Sequence, residues 1–409
     1  MSVLSRKDAV VVFLAFACAY FFSALIRAIT ATLSPTLTAE FALSASDLGL
    51  LAGGYFFGFS IVQLPLGTWL DRFGPRKVIL YFLSVAVVGT LAFALAESFP
   101  GLLVARVLTG IGVGACLMAP LTGYRRWFEP GVQLRANSWM LMTGSLGMVA
   151  ATLPVQWLMP LLGWRPLFIG LALLVLLSMV MIRWKVPTWG DPPAEKTQSS
   201  AMTSYAEVWR DPFFRKMSLI GFVNYGGLIA IQTLWATPWM IRVAGYSPLE
   251  AATGLFWINA SMLITFWTWG MIMPTLTKKG WLAQGMITRG LPTSFVVLLV
   301  LLLAGPALGE WTWVCLAAYC MCTSFVALAQ PAVGMAFPSA LAGRALSAYN
   351  LVIFSGVFAV QWGIGLLTDG FKGQGLADAQ ALRAAMAVYM VMSLGAYLHF
   401  LRAKSHHQG

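Results

Sequence analysis

Residues 67–77 read Gly-Thr-Trp-Leu-Asp-Arg-Phe-Gly-Pro-Arg-Lys and place one acid and three bases between two long apolar stretches. The glycine at position 67 permits a close approach between helices. The acid, Asp71, follows four residues later and lies at the predicted end of a helix among the bases. This segment therefore predicts a short charged connection between two membrane-spanning helices.

The rest of the chain is equally apolar. Of its 409 residues, 59% are apolar and 10% are charged, whereas soluble domains carry roughly 25% charged residues. This composition excludes a water-soluble protein. A membrane-spanning helix needs about 20 residues, and the charged and Pro/Gly-rich breaks predict twelve, near residues 9–34, 47–70, 77–96, 101–123, 136–160, 164–183, 214–242, 249–273, 281–304, 309–335, 344–368 and 381–401.

The basic residues are distributed unevenly between the two sides of the predicted membrane protein. With a cytoplasmic N-terminus, 20 of the 26 Lys and Arg residues fall on cytoplasmic segments. Positively charged loops stay in the cytoplasm, so the sequence predicts a multi-pass protein of the inner membrane with both termini cytoplasmic. The net charge of +12 is therefore explained by the lipid bilayer, and no nucleic-acid partner is expected.

The chain divides into two similar halves. We predict an N-terminal six-helix bundle over residues 1–184, a cytoplasmic linker over 185–213 and a C-terminal six-helix bundle over 214–409. A shift of 203 residues places Pro35 on Pro238 and the segment 44–47 on 247–250, and both segments have the Ser-x-x-acid pattern of a helix capping box. A duplicated unit of this kind places its ligand site at the membrane midplane between the halves.

The segment 67–77 resembles the signature G-x-x-x-D-R-x-G-R-R/K of the major facilitator superfamily. The resemblance implies an all-α fold of twelve transmembrane helices in two pseudo-symmetric bundles. It also implies a latch between the cytoplasmic ends of the halves; the alternative is that the bases only fix the topology. The residues of this gating motif are Gly67, Asp71, Arg72, Gly74, Arg76 and Lys77.

A second resemblance lies in the fourth predicted span. Arg106, Gly110, Gly112 and Gly114 are similar to the superfamily pattern R-x-x-x-G-x-G, in which the arginine is associated with proton coupling. The glycines predict tight helix packing. Arg106 lies near the outer end of its span, so a structural or snorkelling arginine is the alternative to a coupling residue.

One polar stripe runs along the first span. Tyr20, Ser23, Arg27, Thr30 and Ser34 recur at steps of three and four, so they share one face of an apolar helix. The segment 20–27 resembles the organophosphate and organic-anion branch of the superfamily, in which an arginine of this helix binds the substrate anion. Arginine suits this role because its planar guanidinium pairs with a carboxylate through two hydrogen bonds.

The acidic residues define the charge of the expected substrate. Every Asp and Glu falls at a span end or outside the spans, and a buried charge without a partner is costly in a membrane. Arg27 therefore predicts an anionic substrate. Ala230 stands at the matching position of the second half, which favours a monoanion such as a carboxylate over a phosphate ester. Further residues proposed to line the site are Asn224, Tyr225, Gln232, Trp235, Gln330, Asn350 and Gln361.

Together these patterns predict a monomeric secondary transporter that moves a small organic anion by alternating access. No cofactor or metal is expected. The spans lack a nucleophile, a metal cluster or a carboxylate pair at depth, which argues against an enzyme. The alternatives are an efflux transporter for amphipathic compounds and a transporter-like membrane sensor. Exchange, uniport and entry of a proton on the acid group of the substrate all remain open as modes of coupling.

Overall fold

The computed structural model describes residues 4–188 and 201–403, which form long helices joined by short connections. The membrane helices of the first half are α1 Arg6–Phe41, α2 Ala45–Ile61 with Gln63–Phe73, α3 Pro75–Leu95, α4 Phe99–Trp127, α5 Pro130–Ala150 with Leu153–Leu162, and α6 Trp164–Lys185. Those of the second half are α7 Pro212–Arg242, α8 Pro248–Lys278, α9 283–304, α10 312–336, α11 Leu341–Gly373 and α12 Asp378–Arg402.

The number of spans agrees with the sequence. By length and composition, the described residues contain nine spanning helices and two bent pairs, which raise the number to 11. One of the nine, Ala283–Ala336, has 54 residues, more than twice the length that a span needs. Its helix is interrupted at Gly305 and Gly309, whose φ angles are 48° and 47°. This segment therefore supplies both α9 and α10, and the predicted twelve spans are confirmed.

Proline explains the bends in α2 and α5. The two parts of α2 meet at 46° and the two parts of α5 at 45°. Pro65 and Pro154 lie four residues after Ile61 and Ala150, the last residues before each break. Because proline has no backbone N–H, it removes the helical hydrogen bond at these carbonyls. Both bends thus follow from the sequence.

The internal repeat is visible in the helix caps. Ser44 and Asp47 form a complete capping box at the start of α2, and Ser247 and Glu250 form another at the start of α8. The predicted domain boundaries stay a prediction, since most of the linker and Lys196 lie outside the described residues. A helix over Ala201–Arg210 precedes α7, with Val208 buried and Trp209 37% exposed.

Glycines hold α4 against its neighbours. A Cβ added at Gly110 would overlap the Tyr55 carbonyl of α2, and one added at Gly112 would overlap the backbone of Ala86 in α3. On the opposite side of the α2 contact, a Cβ at Gly58 would overlap the Val107 carbonyl. The glycine pattern of α4 therefore places three helices in backbone contact, as the sequence predicts.

The two halves meet along a seam between α2 and α11. A Cβ on Gly49 would lie 2.5 Å from the Gln361 carbonyl oxygen, and one on Gly365 would overlap the Ala45 carbonyl. Towards the other end of the seam, a Cβ on Gly67 would have only the Ser347 hydroxyl near it, at 3.8 Å. The seam is thus tight at the end that carries the α1–α2 turn, which we call the opposite face. It is looser at the end that carries residues 67–77, which we call the basic face.

Candidate functional site

Arg27 is an unpaired cation deep in α1. It is 14 residues from the nearer end of the helix, a distance of about 20 Å at 1.5 Å per residue. Its Nη2 lies 3.6 Å from the Met148 sulfur of α5, and its buried Nε has no hydrogen-bond partner among the described residues. The ion pairs found within residues 4–188 and 201–403 join Arg165 to Glu40, and Arg242 and Lys372 to Asp378. All of these lie at helix ends, so Arg27 has no carboxylate partner in the described structure.

Three tyrosines surround the Arg27 guanidinium. Tyr20 is a hydrogen-bonding neighbour on α1, while Tyr55 of α2 and Tyr225 of α7 interact with Arg27 electrostatically. Tyr55 also donates a hydrogen bond to the Ser23 carbonyl at 3.4 Å. Tyrosine hydroxyls are able to donate to an anion. The site therefore combines a cation with hydroxyl groups from both halves of the protein.

Aromatic rings from both halves meet beside these tyrosines. The rings of Phe59 in α2 and Phe354 in α11 have centroids 4.5 Å apart. Phe56 and Tyr225 flank Phe354 at 6.3 Å each, and Tyr55 stacks on Phe59 at 6.5 Å. Phe59 is 14 residues from each end of α2, so the cluster lies at mid-depth. Both phenylalanine rings are only partly buried and present an apolar surface near Arg27.

Arg106 is a second buried cation. It is 1% exposed, and its Nη1 donates to the Ile26 carbonyl of α1 at 3.0 Å. Its guanidinium carbon lies 5.1 Å from the Tyr55 ring centroid and 5.9 Å from that of Phe93. The side chain therefore points into the first half rather than to the membrane surface. This geometry ties α4 to the turn of α1 that carries Arg27.

The predicted polar residues of the second half mostly join helices to one another. The amide Nδ2 of Asn224 donates to the Ser393 carbonyl at 3.4 Å, Gln232 to Asn259 at 2.9 Å, Gln330 to Asn350 at 2.7 Å, and Gln361 to Thr233 at 2.9 Å, while the Trp235 indole donates to the Gln361 carbonyl at 3.1 Å. Thr30 is buried on α1. Of the residues proposed from the sequence, Tyr20 and Tyr225 are the ones that interact with Arg27, and Ser23 contacts the site through the hydrogen bond that its carbonyl accepts from Tyr55.

Four residues of the site were not predicted. Tyr55, Phe59, Phe354 and Met148 are aromatic or apolar residues whose neighbours in sequence are also mostly apolar, so no polar contrast marks the face that they occupy. The available signal was the spacing of Tyr55 and Phe59, which are four residues apart and share a helix face. An aromatic pair at this spacing is common in ordinary helix packing and does not by itself indicate a binding site.

A comparison with protein families decides the classification. The family described as the Major Facilitator Superfamily matches residues 16–361. The chain belongs to this superfamily. The members of this superfamily are multi-pass membrane transporters and not enzymes, and the sequence resemblance is confirmed.

The curated relatives include carriers of organic acids. The 4-hydroxybenzoate transporter PcaK of Acinetobacter baylyi is 32% identical over 153 residues, which are 36% of this chain and 33% of that protein. The gallate transporter of Pseudomonas putida is 26% identical over 267 residues, 58% of this chain and 59% of that protein. The chain matches between 33% and 62% of the length of the first four relatives.

Solved structures share the fold over nearly the whole chain. A bacterial homologue of the human lysosomal transporter Spinster, in an inward-facing and unoccupied conformation, gives a TM-score of 0.80 at 20% identity, with 98% of both chains covered. A D-xylose–proton symporter gives 0.76 at 15% identity, with 97% of this chain and 98% of that chain covered. The superfamily fold therefore extends from α1 to α12.

The superfamily signature at residues 67–77 has different partners from those expected. Asp71 interacts electrostatically with Arg125 of α4 and Arg344 of α11, not with the bases of its own motif. Arg76 instead donates to the Arg183 carbonyl at the end of α6, where a helix terminus attracts a cation. Arg72 lies over the Phe73 ring at 5.1 Å. The prediction that Asp71 is surrounded by Arg72, Arg76 and Lys77 is therefore wrong. The acid instead interacts with one arginine from each half.

Gly74 and Pro75 shape this connection. Gly74 ends α2 with a φ of 78°, and Pro75 is the first residue of α3. A positive φ favours glycine, and proline is well suited to the first turn of a helix. These two residues form the corner between α2, which carries Asp71, and α3, which carries Lys77.

Because Asp71 faces Arg344 across the two halves, Asp71→Asn should slow turnover on the order of tenfold, which corresponds to about 1.4 kcal/mol in the barrier. Ligand affinity should change little, since Asp71 lies 12 residues beyond Phe59, the α2 residue of the candidate site, which is about 18 Å along a helix. Glu129→Gln, an exposed acid of the basic face, is the control. Turnover and binding measured on the same proteoliposomes separate the two effects. Wild-type turnover in Asp71→Asn would show that the motif only sets topology.

Proposed function

We propose that the chain is a secondary active transporter that moves a small organic monoanion, a carboxylate, across the inner membrane by alternating access. The observation that carries this proposal is the unpaired Arg27 at mid-depth, bordered by hydroxyl groups and rings from both halves. A cation at this depth is costly unless it is paired or hydrated. A bound carboxylate supplies the missing charge and accepts hydrogen bonds from the guanidinium.

The arrangement favours a single negative charge. Arg106 is engaged with the Ile26 carbonyl and covered by the Tyr55 ring, and Ala230 occupies the position that corresponds to Arg27 in the second half. The Nε and Nη2 of Arg106 also have no hydrogen-bond partner among the described residues, but this side chain is only 1% exposed. Arg27 is only partly buried, so we take it to be the one guanidinium that a substrate reaches. A doubly charged phosphate ester would leave one charge without a partner in the site.

The rings favour an aromatic acid. Phe59, Phe354 and Tyr225 offer faces and edges against which a ring packs with offset or edge-to-face geometry. Relatives named as transporters of 4-hydroxybenzoate and gallate agree with this choice. We propose a benzoate-like substrate whose carboxylate meets Arg27 and whose ring contacts the phenylalanines.

Uptake into proteoliposomes tests this proposal. Labelled benzoate, cyclohexanecarboxylate and benzamide share size but differ in ring character or charge. We expect transport of benzoate, weaker transport of cyclohexanecarboxylate and none of benzamide. Equal transport of neutral benzamide, or of unrelated amphipathic cations, would favour the alternative of an efflux transporter. Binding without movement of any labelled acid would favour a sensor.

Coupling and orientation belong to the same proposal. In the absence of a deep carboxylate from the predicted spans, benzoate counterflow driven by substrate alone should persist without a pH gradient.

Both termini are proposed to be cytoplasmic, so cysteine labelling should find positions 196 and 405 on the cytoplasmic side. A requirement for a specific carboxylate of the protein would contradict the proposed coupling, and periplasmic labelling would contradict the topology.

A further inference from the structure

Asp369 joins the two halves at the opposite face. It lies near the end of α11, and its Oδ1 accepts the Ala45 backbone N–H at 3.1 Å while its Oδ2 accepts that of Ser46 at 2.7 Å. These N–H groups belong to the first turn of α2, where no carbonyl of the same helix is able to accept them. The start of a helix in one half is thus capped by a carboxylate from the other half.

The chemistry of this contact is favourable. The first turn of a helix carries a partial positive charge that attracts an anion, and hydrogen bonds to a carboxylate are stronger than neutral ones. The third free N–H of this turn, that of Asp47, donates to the Ser44 hydroxyl. The Asp47 carboxylate in return accepts the Ser44 N–H, so this part of the cap is made within the first half. The α2 terminus is therefore fully capped only while the halves are in contact.

The contact continues the tight end of the α2–α11 seam. A Cβ on Gly365, one turn before Asp369, would overlap the Ala45 carbonyl and lie 2.8 Å from the Ser46 Cα. This backbone approach brings the carboxylate within reach of the α2 amides. Any separation of the two helices at this end breaks both hydrogen bonds at once.

The two halves also meet where α5 contacts α8, and this second seam lacks an equivalent acid. The offset that aligns Arg135 with Arg344 places Pro160 at the position of Asp369. The α8 terminus is capped by its own Ser247 and Glu250. The cross-half cap thus belongs to one seam of the pseudo-symmetric pair.

We propose that Asp369 is the latch that holds the opposite face closed, and that it must leave the α2 terminus before this face opens. This inference rests on alternating access, which is part of the proposed function. When the latch opens, the Ala45 and Ser46 amides and the carboxylate pass to water. The closed form is favoured to the extent that these two hydrogen bonds are lower in free energy than the bonds that the same groups make with water.

A distance measurement across the opposite face tests the latch. Glu97 and Gln374 are exposed there, on the first and second half. Spin labels at these positions, in protein whose five native cysteines are replaced by alanine, report open and closed forms by pulsed dipolar spectroscopy in lipid nanodiscs. Asp369→Asn and Asp369→Ala should raise the open-to-closed ratio about tenfold, equivalent to about 1.4 kcal/mol.

Asp47→Asn is the matched control. Asp47 caps the same helix terminus from within α2, so its loss weakens the cap without touching the other half. The ratio should stay near that of the protein with native Asp47. An unchanged ratio in Asp369→Ala, or an equal increase in Asp47→Asn, would overturn the latch. One single distance in every variant and with benzoate present would instead contradict alternating access itself.

A variant on the α2 side provides a second measurement if the Asp369 variants fail to fold. Ala45→Pro keeps Asp369 but removes the backbone N–H that its Oδ1 accepts, and proline is well suited to the first position of a helix. The open-to-closed ratio, read from the same pair of spin labels, should again rise several-fold. A ratio equal to that of the protein with native Ala45 would overturn the proposal.

Discussion

Arg27→Ala is expected to lower uptake of the proposed carboxylate substrate by about a hundredfold or more. Two charge-assisted hydrogen bonds contribute about 1.5–3 kcal/mol each, and every 1.4 kcal/mol is about tenfold in affinity. Arg27→Lys should keep the charge but lose the paired geometry of the guanidinium, so we expect uptake between those of alanine and arginine. Initial rates of labelled benzoate uptake into proteoliposomes measure both.

The control for this prediction is Arg402→Ala, which removes an exposed arginine at the end of α12 and should leave uptake unchanged. Thermal unfolding of each variant in detergent shows whether the protein is intact. Wild-type uptake by Arg27→Ala would contradict the assignment of the substrate site and of the anion.

Gly110→Ala should be among the most destabilising single substitutions in the chain. The added Cβ overlaps the Tyr55 carbonyl and neighbouring backbone atoms of α2, and backbone is unable to yield as a flexible side chain does. The helices must separate, at a cost of at least about 1–3 kcal/mol by analogy with overpacked cores. Since Tyr55 borders Arg27, uptake should fall as well.

Gly363→Ala is the matched glycine, because a Cβ at this position of α11 meets no described atom within 4 Å. Thermal unfolding in the same detergent compares the two. Equal unfolding midpoints for both variants and the wild type would mean that α2 and α4 are not in backbone contact.

Local patterns were sufficient for most of the fold. Hydropathy predicted the twelve spans, and the Ser-x-x-acid segments at 44–47 and 247–250 predicted both capping boxes. The glycines of α4 predicted its packing. These features are local because a cap or a glycine-rich helix face is specified within a few residues of sequence, and a span within about 20.

The site was predicted only where a polar residue stands out from an apolar helix. Arg27 and Tyr20 were visible for this reason, whereas Phe59 and Phe354 were not, since their proximity depends on contacts between helices almost 300 positions apart in sequence. Amides such as Gln232 and Gln361 have the same appearance in sequence whether they bind a ligand or another helix. The partners of Asp71 were also not predictable from local sequence, because the arginines that it faces belong to α4 and α11.

The unpaired charge of Arg27 has an electrical consequence. In the proposed orientation the basic face lies in the cytoplasm, and in the proposed cycle one state has the opposite face closed and the basic face open. In that state the membrane potential falls mainly across the closed side, which leaves Arg27 on the cytoplasmic side of the drop. The return of the empty carrier to the other face then moves the positive charge of Arg27 through the field. A full crossing changes the free energy of that charge by about 2.3 kcal/mol per 100 mV. A carrier loaded with a monoanion moves no net charge at this position. An inside-negative voltage should therefore hold the empty protein facing the cytoplasm and leave the loaded step almost insensitive to voltage.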